Sequence, residues 1–313
     1  MMTRTRWMGM LAMAAAIAPR PAAAQAPAGA TRYAPVVLTL PASTRAMAMG
    51  DAGAAVSDET ALFYNPAQLV NARGINLAGQ RNAPGSTLGT LAVAIPAGGG
   101  TLAIGAQQLG AAAPCSSCLA AVPESESSLL QGGDWNTTSA VASVGYARVI
   151  KGFRVGAAAK YVQQRLPETH DATAAVDLGV ARAIGSVMIG AAAQNLGPSL
   201  EQAGGTWLLP QRYTLGAAFQ GLQRGPVDLA GSADVSVLAN GDVTPAAGAE
   251  VGWMPLEGFT FLGRAGVRAT HDPAERPWSL GAAFTVDKLM VEYAWRTFEE
   301  MGPVHRVGVR WRG

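Results

Sequence analysis

Charge is scarce in this sequence. Asp, Glu, Lys and Arg make up 14% of its 313 residues, against about 25% in an ordinary soluble protein. Aromatic residues are also few, at 6%. Alanine and glycine supply much of the apolar character, so large interior side chains are scarce and a big dry core is not expected. The three histidines, His170, His271 and His305, stand apart. None has a serine and an acid beside it in a recognisable motif, so no catalytic residue is assigned. No metal-ligand set is present, because zinc would need two more ligands near Cys115 and Cys118. No cofactor is implied. Those two cysteines are spaced C-x-x-C without a thioredoxin-like βαβ context. In an exported chain they read as a possible local disulfide. Beyond the N-terminus no stretch reaches ~18 uninterrupted apolar residues. If this chain crosses a membrane, it does not do so with helices.

What is present begins with an export pattern. Arg4 and Arg6 precede a short apolar run from Trp7 to Ala18, and Ala22-Ala23-Ala24 supplies an A-x-A cleavage site. The run is shorter than the ~20 residues of a spanning helix. Residues 1–24 are therefore expected to be a signal peptide. Without Arg4, Arg6 and Arg20, 20 basic residues face 21 acidic ones. This near-neutral balance offers no basic face for nucleic acid.

From Gly74 onward, segments of about ten residues alternate apolar with small or polar side chains. In 153–165, Phe153, Val155, Ala157, Ala159 and Tyr161 share one face, opposite Arg154, Gly156, Ala158, Lys160 and Gln164. About fourteen such segments are expected. Alternation alone fits a soluble sandwich or a membrane barrel. The connections separate the two: those after even-numbered strands are short, while those after odd-numbered strands are mostly longer, notably 110–135 and 196–210. Short turns at one rim and longer loops at the other belong to outer-membrane barrels. The expected fold is all-β, a transmembrane antiparallel barrel over 74–313 in contact with outer-membrane lipid, with aromatics such as Tyr161, Trp253 and Trp311 on its apolar face.

Residues 25–73 do not read as strands. Ser57-Asp58-Glu59 can start a short helix capped by Ser57, and Asn65-Pro66 favours a turn before a second helical turn. This small-residue stretch is expected to form a plug inside the lumen. Arg45-x-x-x-Met49-Gly50-x-Ala52, then Asp58, Ala61 and Asn65-Pro66-Ala67, resembles the N-terminal motif of FadL-like outer-membrane barrels, and most closely the shorter PorV/PorQ branch. Later segments agree, among them Gln194-Asn195-Leu196-Gly197, Gly248-Ala249-Glu250 and Arg264-Ala265-Gly266. The resemblance implies a fourteen-stranded barrel with its N-terminal segment tucked inside. It implies a non-enzymatic docking or carrier role for secreted proteins, or passage of small apolar or amphipathic solutes as in FadL-like proteins. One face of the strands also collects Glu250, Arg264, Arg268, Glu292, Arg296, Arg306 and Arg310. Inward charges must pair or be hydrated. Neighbouring pairs, Glu250 with Arg264 and Glu292 with Arg310, are expected to fix strand register; a polar path or plug-docking cluster is the functional reading.

Overall fold

The computed structural model describes residues 33–82, 85–111, 137–166, 169–202, 205–270, 275–299 and 302–313. The export pattern at 1–24, the Cys115/Cys118 pair, His271 and most of the 110–135 connection lie outside them.

The strands are β1 (Gly74–Asn82), β2 (Ser86–Ala97), β3 (Gly100–Ala111), β4 (Thr137–Ile150), β5 (Phe153–Arg165), β6 (His170–Ile184), β7 (Val187–Leu196), β8 (Leu200–Gln202), β9 (Gly205–Trp207), β10 (Arg212–Arg224), β11 (Val227–Leu238), β12 (Val243–Leu256), β13 (Phe259–Arg268), β14 (Glu275–Val286), β15 (Leu289–Phe298) and β16 (Gly302–Arg312). Fourteen of them form one closed antiparallel barrel, in which each barrel strand pairs with the next in sequence. β1 closes on β16, with Gly74 opposite Arg312 and Arg81 opposite His305. The fourteen strands read from the alternation are therefore present. The β8–β9 hairpin, which the alternation did not reveal, lies in the long connection between β7 and β10. Three-residue strands are too short to show a period.

The alternation sorts side chains by environment. On β6, Val176, Leu178 and Val180 are exposed outward, while Thr173, Ala175, Asp177 and Ala181 are buried inside. Large apolar side chains cover the outer face all around the barrel. Aromatics mark its two edges. Phe153, Trp253, Phe261, Phe284 and Trp311 lie toward the short-turn rim, and Tyr161, Tyr213, Trp278 and Trp295 toward the long-loop rim. An apolar band between two aromatic girdles is the surface a bilayer solvates.

The segment before β1 folds inside the barrel. It carries one α-helix, α1 (Thr44–Ala48), and 3₁₀ turns at Val36–Leu38, Glu59–Phe63 and Pro66–Leu69. Ser43 caps α1 by accepting from Ala46 N. The cap expected at Ser57 is instead Asp58, whose carboxylate accepts from Thr60 N at 2.9 Å. Ser57 is drawn away, because its hydroxyl bonds Gln68 Oε1 at 2.8 Å and receives Arg154 Nη1 at 2.8 Å. Asn65 caps the last turn by accepting from Ala67 N, and Pro66 fills the first position, where a missing N–H costs nothing.

Candidate functional site: an occupied lumen

The N-terminal segment runs the length of the lumen. Ala34 N donates to Leu208 O at 3.0 Å, in the connection at the long-loop rim. Forty residues later the chain enters β1 at Gly74, at the short-turn rim, opposite Arg312. An apolar layer and a layer of close backbone contacts follow along that path, with ionic contacts on one wall beside them.

The outermost layer is apolar. Ala34 and Val37, with Leu38 and Leu40, pack against Leu88, Val141, Val162 and Ala175 of the wall and Leu200, Trp207 and Leu209 of the β8–β9 region. Small apolar groups are thus already in contact inside the outer half of the barrel. Beneath this layer Arg306, fully buried, donates to Ala42 O and Thr90 Oγ1 at 2.8 Å and to Gln80 Oε1 at 3.3 Å.

The second layer is set by glycines that let the segment's backbone touch the wall. A Cβ on Gly179 would lie 2.0 Å from Asn65 Oδ1, one on Gly156 2.5 Å from the Pro66 carbonyl, and one on Gly190 2.4 Å from Ala54 O. Across the barrel, Gly248 and Gly266 face Met49, and Gly281 faces Ala48. Gly50 adopts φ +70° against Val267 and donates its N–H to Ser279 Oγ at 3.2 Å. Asn65-Pro66-Ala67 therefore works as a seated turn: Asn65 Nδ2 donates to Ala54 O at 2.7 Å and to Val180 O at 3.4 Å. Gln194 Nε2 reaches across to Phe63 O at 2.6 Å. Next to it Asn195, at φ +58°, bulges β7 and closes a buried group with Asp177 and Lys160, which pair at 2.6 Å.

Ionic contacts run beside these layers on β12 to β16, from Arg268, Glu275 and Arg296 toward the long-loop rim to Arg310 near the short-turn rim. Arg45 donates Nε and Nη2 to the two Glu250 oxygens at 3.1 Å each, and Arg264 Nε pairs with Glu250 at 2.5 Å. Arg268 and Arg296 both bind Asp51 Oδ2, at 2.7 and 2.8 Å, and both also reach Glu275. Glu59 pairs with Arg310 at 2.7 Å. Burial works against the ionised Asp51 carboxyl, but the Arg296 and Arg268 guanidiniums outweigh it and hold its pKa at about 2. Burial instead prevails at Glu59, with Asp58 adding to it, and its pKa is raised despite Arg310.

The seven inward charges read from the strands therefore share one lumen, but their pairing differs from the strand-to-strand pattern. Glu250–Arg264 pairs as the register predicts. Glu292 instead meets Arg264 at 3.4 Å, because Arg310 is taken by Glu59 of the N-terminal segment. Arg306 bonds no carboxylate among the described residues. Sequence reasoning missed Asp51, Glu59, Glu275 and Asp234, whose carboxylate accepts from Ala54 N at 2.8 Å. A charge balance could have found the first three. Five inward arginines against two glutamates demand more buried acids, and Asp51 directly follows the Met49-Gly50 pair.

Below the segment, at the short-turn rim, the lumen opens into a polar cavity of about 770 Å³. Asp58, Glu59, Arg154, Asp228, Arg310 and Arg312 are among its walls. Among the described residues no group of His, Cys, Asp and Glu could hold a metal ion.

No family model and no curated protein matches this sequence. Solved structures do. The Pseudomonas putida toluene transporter TodX superimposes with a TM-score of 0.55 at 11% identity, covering 85% of this chain and 96% of that one. This chain has the TodX-like outer-membrane barrel fold. A ΔS2S3 mutant of the TodX monoaromatic hydrocarbon channel gives a TM-score of 0.55 at 12% identity, over 86% of this chain and 98% of that one. A Pseudomonas aeruginosa FadL homologue covers 90% of this chain and 100% of its own, at 11% identity and a TM-score of 0.48. The PorV/PorQ branch suggested by the N-terminal motif is not among these likenesses.

Proposed function

We propose that this chain is a non-enzymatic outer-membrane passage for small apolar solutes, closed by its own N-terminal segment. In this reading residues 1–24 are the export signal, 25–73 the plug and 74–313 the barrel. One observation carries it: over β2 and β4 to β6 the outer half of the lumen wall presents Leu88, Val141, Val162 and Ala175, and Ala34, Val37, Leu38 and Leu40 pack there as a solute would. A solute of matching polarity gains there what the segment now gains, about 25 cal/mol per Å² of apolar surface removed from water. The cavity at the opposite rim mixes apolar side chains such as Met188, Leu262 and Met290 with charged ones, so a solute reaching it is held less firmly and released. The TodX-like fold supports passage over the docking role that the PorV/PorQ resemblance implies, since its counterparts are a toluene transporter and a monoaromatic hydrocarbon channel.

The test is solute flux into proteoliposomes, using toluene as the apolar probe and a sugar as the polar one. Deleting residues 43–70 should raise the flux of both, because the seated turn and the ion-paired segment then no longer block the lumen. No flux of either solute, with or without the deletion, sinks the passage reading.

A further inference from the structure

We propose that the β4–β6 sector of the short-turn rim binds the phosphate headgroup of an anionic phospholipid. The inference rests on the membrane placement above and adds a specific lipid to it.

Three basic side chains gather there on the outside of the barrel. Arg148 lies in the outward row of β4, below Val144 and Tyr146 and one step before Ile150. Arg182 extends the outward row of β6, below Val176, Leu178 and Val180. Lys151 sits in the turn between β4 and β5, at φ +51°. All three are exposed. Register brings them together: Arg148 lies opposite Val155 of β5, and Val155 lies opposite Val180 of β6, so the two arginines flank the outer face of β5. The Arg182 guanidinium is 4.7 Å from the centre of the Phe153 ring, at the start of β5. That stacking holds the cation at the level of the aromatic girdle, where headgroups lie.

Among the described residues none of these three cations forms an ion pair, whereas the lumen arginines Arg45, Arg264, Arg268, Arg296 and Arg310 all do. A basic side chain at the edge of an apolar band is stabilised most when an anion of the membrane surface neutralises it. A lipid phosphate supplies two acceptor oxygens suited to a guanidinium fork, while its acyl chains lie along the exposed Val144, Phe153, Val176 and Val180. The charge favours a headgroup with net negative charge over a zwitterionic one.

The experiment compares lipids kept by the full chain after extraction from mixed phosphatidylglycerol and phosphatidylcholine vesicles, counted by native mass spectrometry. A basic side chain near an anionic surface is worth about fivefold in affinity. Wild type should therefore retain phosphatidylglycerol roughly hundredfold over phosphatidylcholine, and the R148Q/K151Q/R182Q variant should retain the two about equally. R81Q, at the opposite rim, should keep the wild-type preference. Equal retention by wild type, an unchanged preference in the triple variant, or loss of the preference in excess inorganic phosphate would each overturn the lipid site. Insertion of all forms into pure phosphatidylcholine vesicles, read as a heat-modifiable gel band, separates these outcomes from failure of the membrane placement itself.

Discussion

The two walls that grip the N-terminal segment share close fit but differ in charge. β12 to β16 add charge to the fit of Gly248, Gly266 and Gly281, through Glu250 on Arg45, Arg268 and Arg296 on Asp51, and Arg310 on Glu59. β5 to β7 hold it by fit, with Gly156, Gly179 and Gly190 admitting the Asn65-Pro66-Ala67 turn and Gln194 bonding its neighbour Phe63. The charged wall is strong only while every partner remains, since a lone buried charge costs several kcal/mol. The fitted wall depends on the absence of a methyl group, and its Arg154 bonds the neutral Ser57 and Gln68 of the segment rather than a carboxylate. Both walls are therefore sensitive to side-chain volume, and the charged one also to pH and to removal of a carboxylate.

The largest effect expected is on the charged wall. Glu250→Gln takes from Arg45 its carboxylate partner and leaves Arg264 with only the longer Glu292 contact. The loss is about 3 kcal/mol, at the lower end for breaking a buried pair because Glu250 is slightly exposed. It should lower the temperature at which the folded barrel band disappears on a gel. On the fitted wall, Gly179→Val places carbon where Asn65 Oδ1 lies. Overpacking of this kind costs about 1–3 kcal/mol. It should unseat the turn, making a cysteine placed at Ser57 react faster with maleimide while the barrel stays folded.

Acid separates the walls further. The Asp51 pKa is about 2, below its ordinary 3.8, so its anchoring is complete above that ordinary value and is lost as pH falls through about 2. Glu59 has the opposite sign, because a raised pKa means the folded state takes up a proton more readily. Between pH 5 and 2, Asp51→Asn should therefore flatten the fall in heat resistance, and Glu59→Gln should leave that fall in place. The smallest effect belongs to neither wall. Arg276 and Glu299 pair at 2.8 Å, but each is about half exposed. Arg276→Gln should change the unfolding temperature by no more than about 1 kcal/mol would.

The same contrast explains what could be read from the sequence. The barrel was legible because each strand repeats one local rule, apolar out and small or polar in, as in Phe153 to Tyr161. Charges on the strands were legible for the same reason: the period assigns Glu250 and Arg264 to the lumen face. Their partners were not, because Arg45 and Glu250 are joined by a path through space that no period records. The role of glycine was also hidden. In sequence Gly156 and Gly179 look like ordinary small lumen residues, and only the approach of Asn65 and Pro66 shows why a methyl group is excluded. Asp58 displaced Ser57 as the cap because Arg154 and Gln68, distant in sequence, claim the serine hydroxyl. The β8–β9 hairpin escaped because its packing against Val37 and Leu88, not its pattern, gives it its place.

In the proposed function, residues 34–72 close the lumen. Ion conductance across a planar bilayer tests it most directly, comparing the full chain with one lacking those residues, both shown to be folded by heat-modifiable migration. The full chain should pass almost no current, and the shortened barrel should show stable, ohmic single-channel steps. Equal conductance in the two forms, or none in the shortened one, would contradict it.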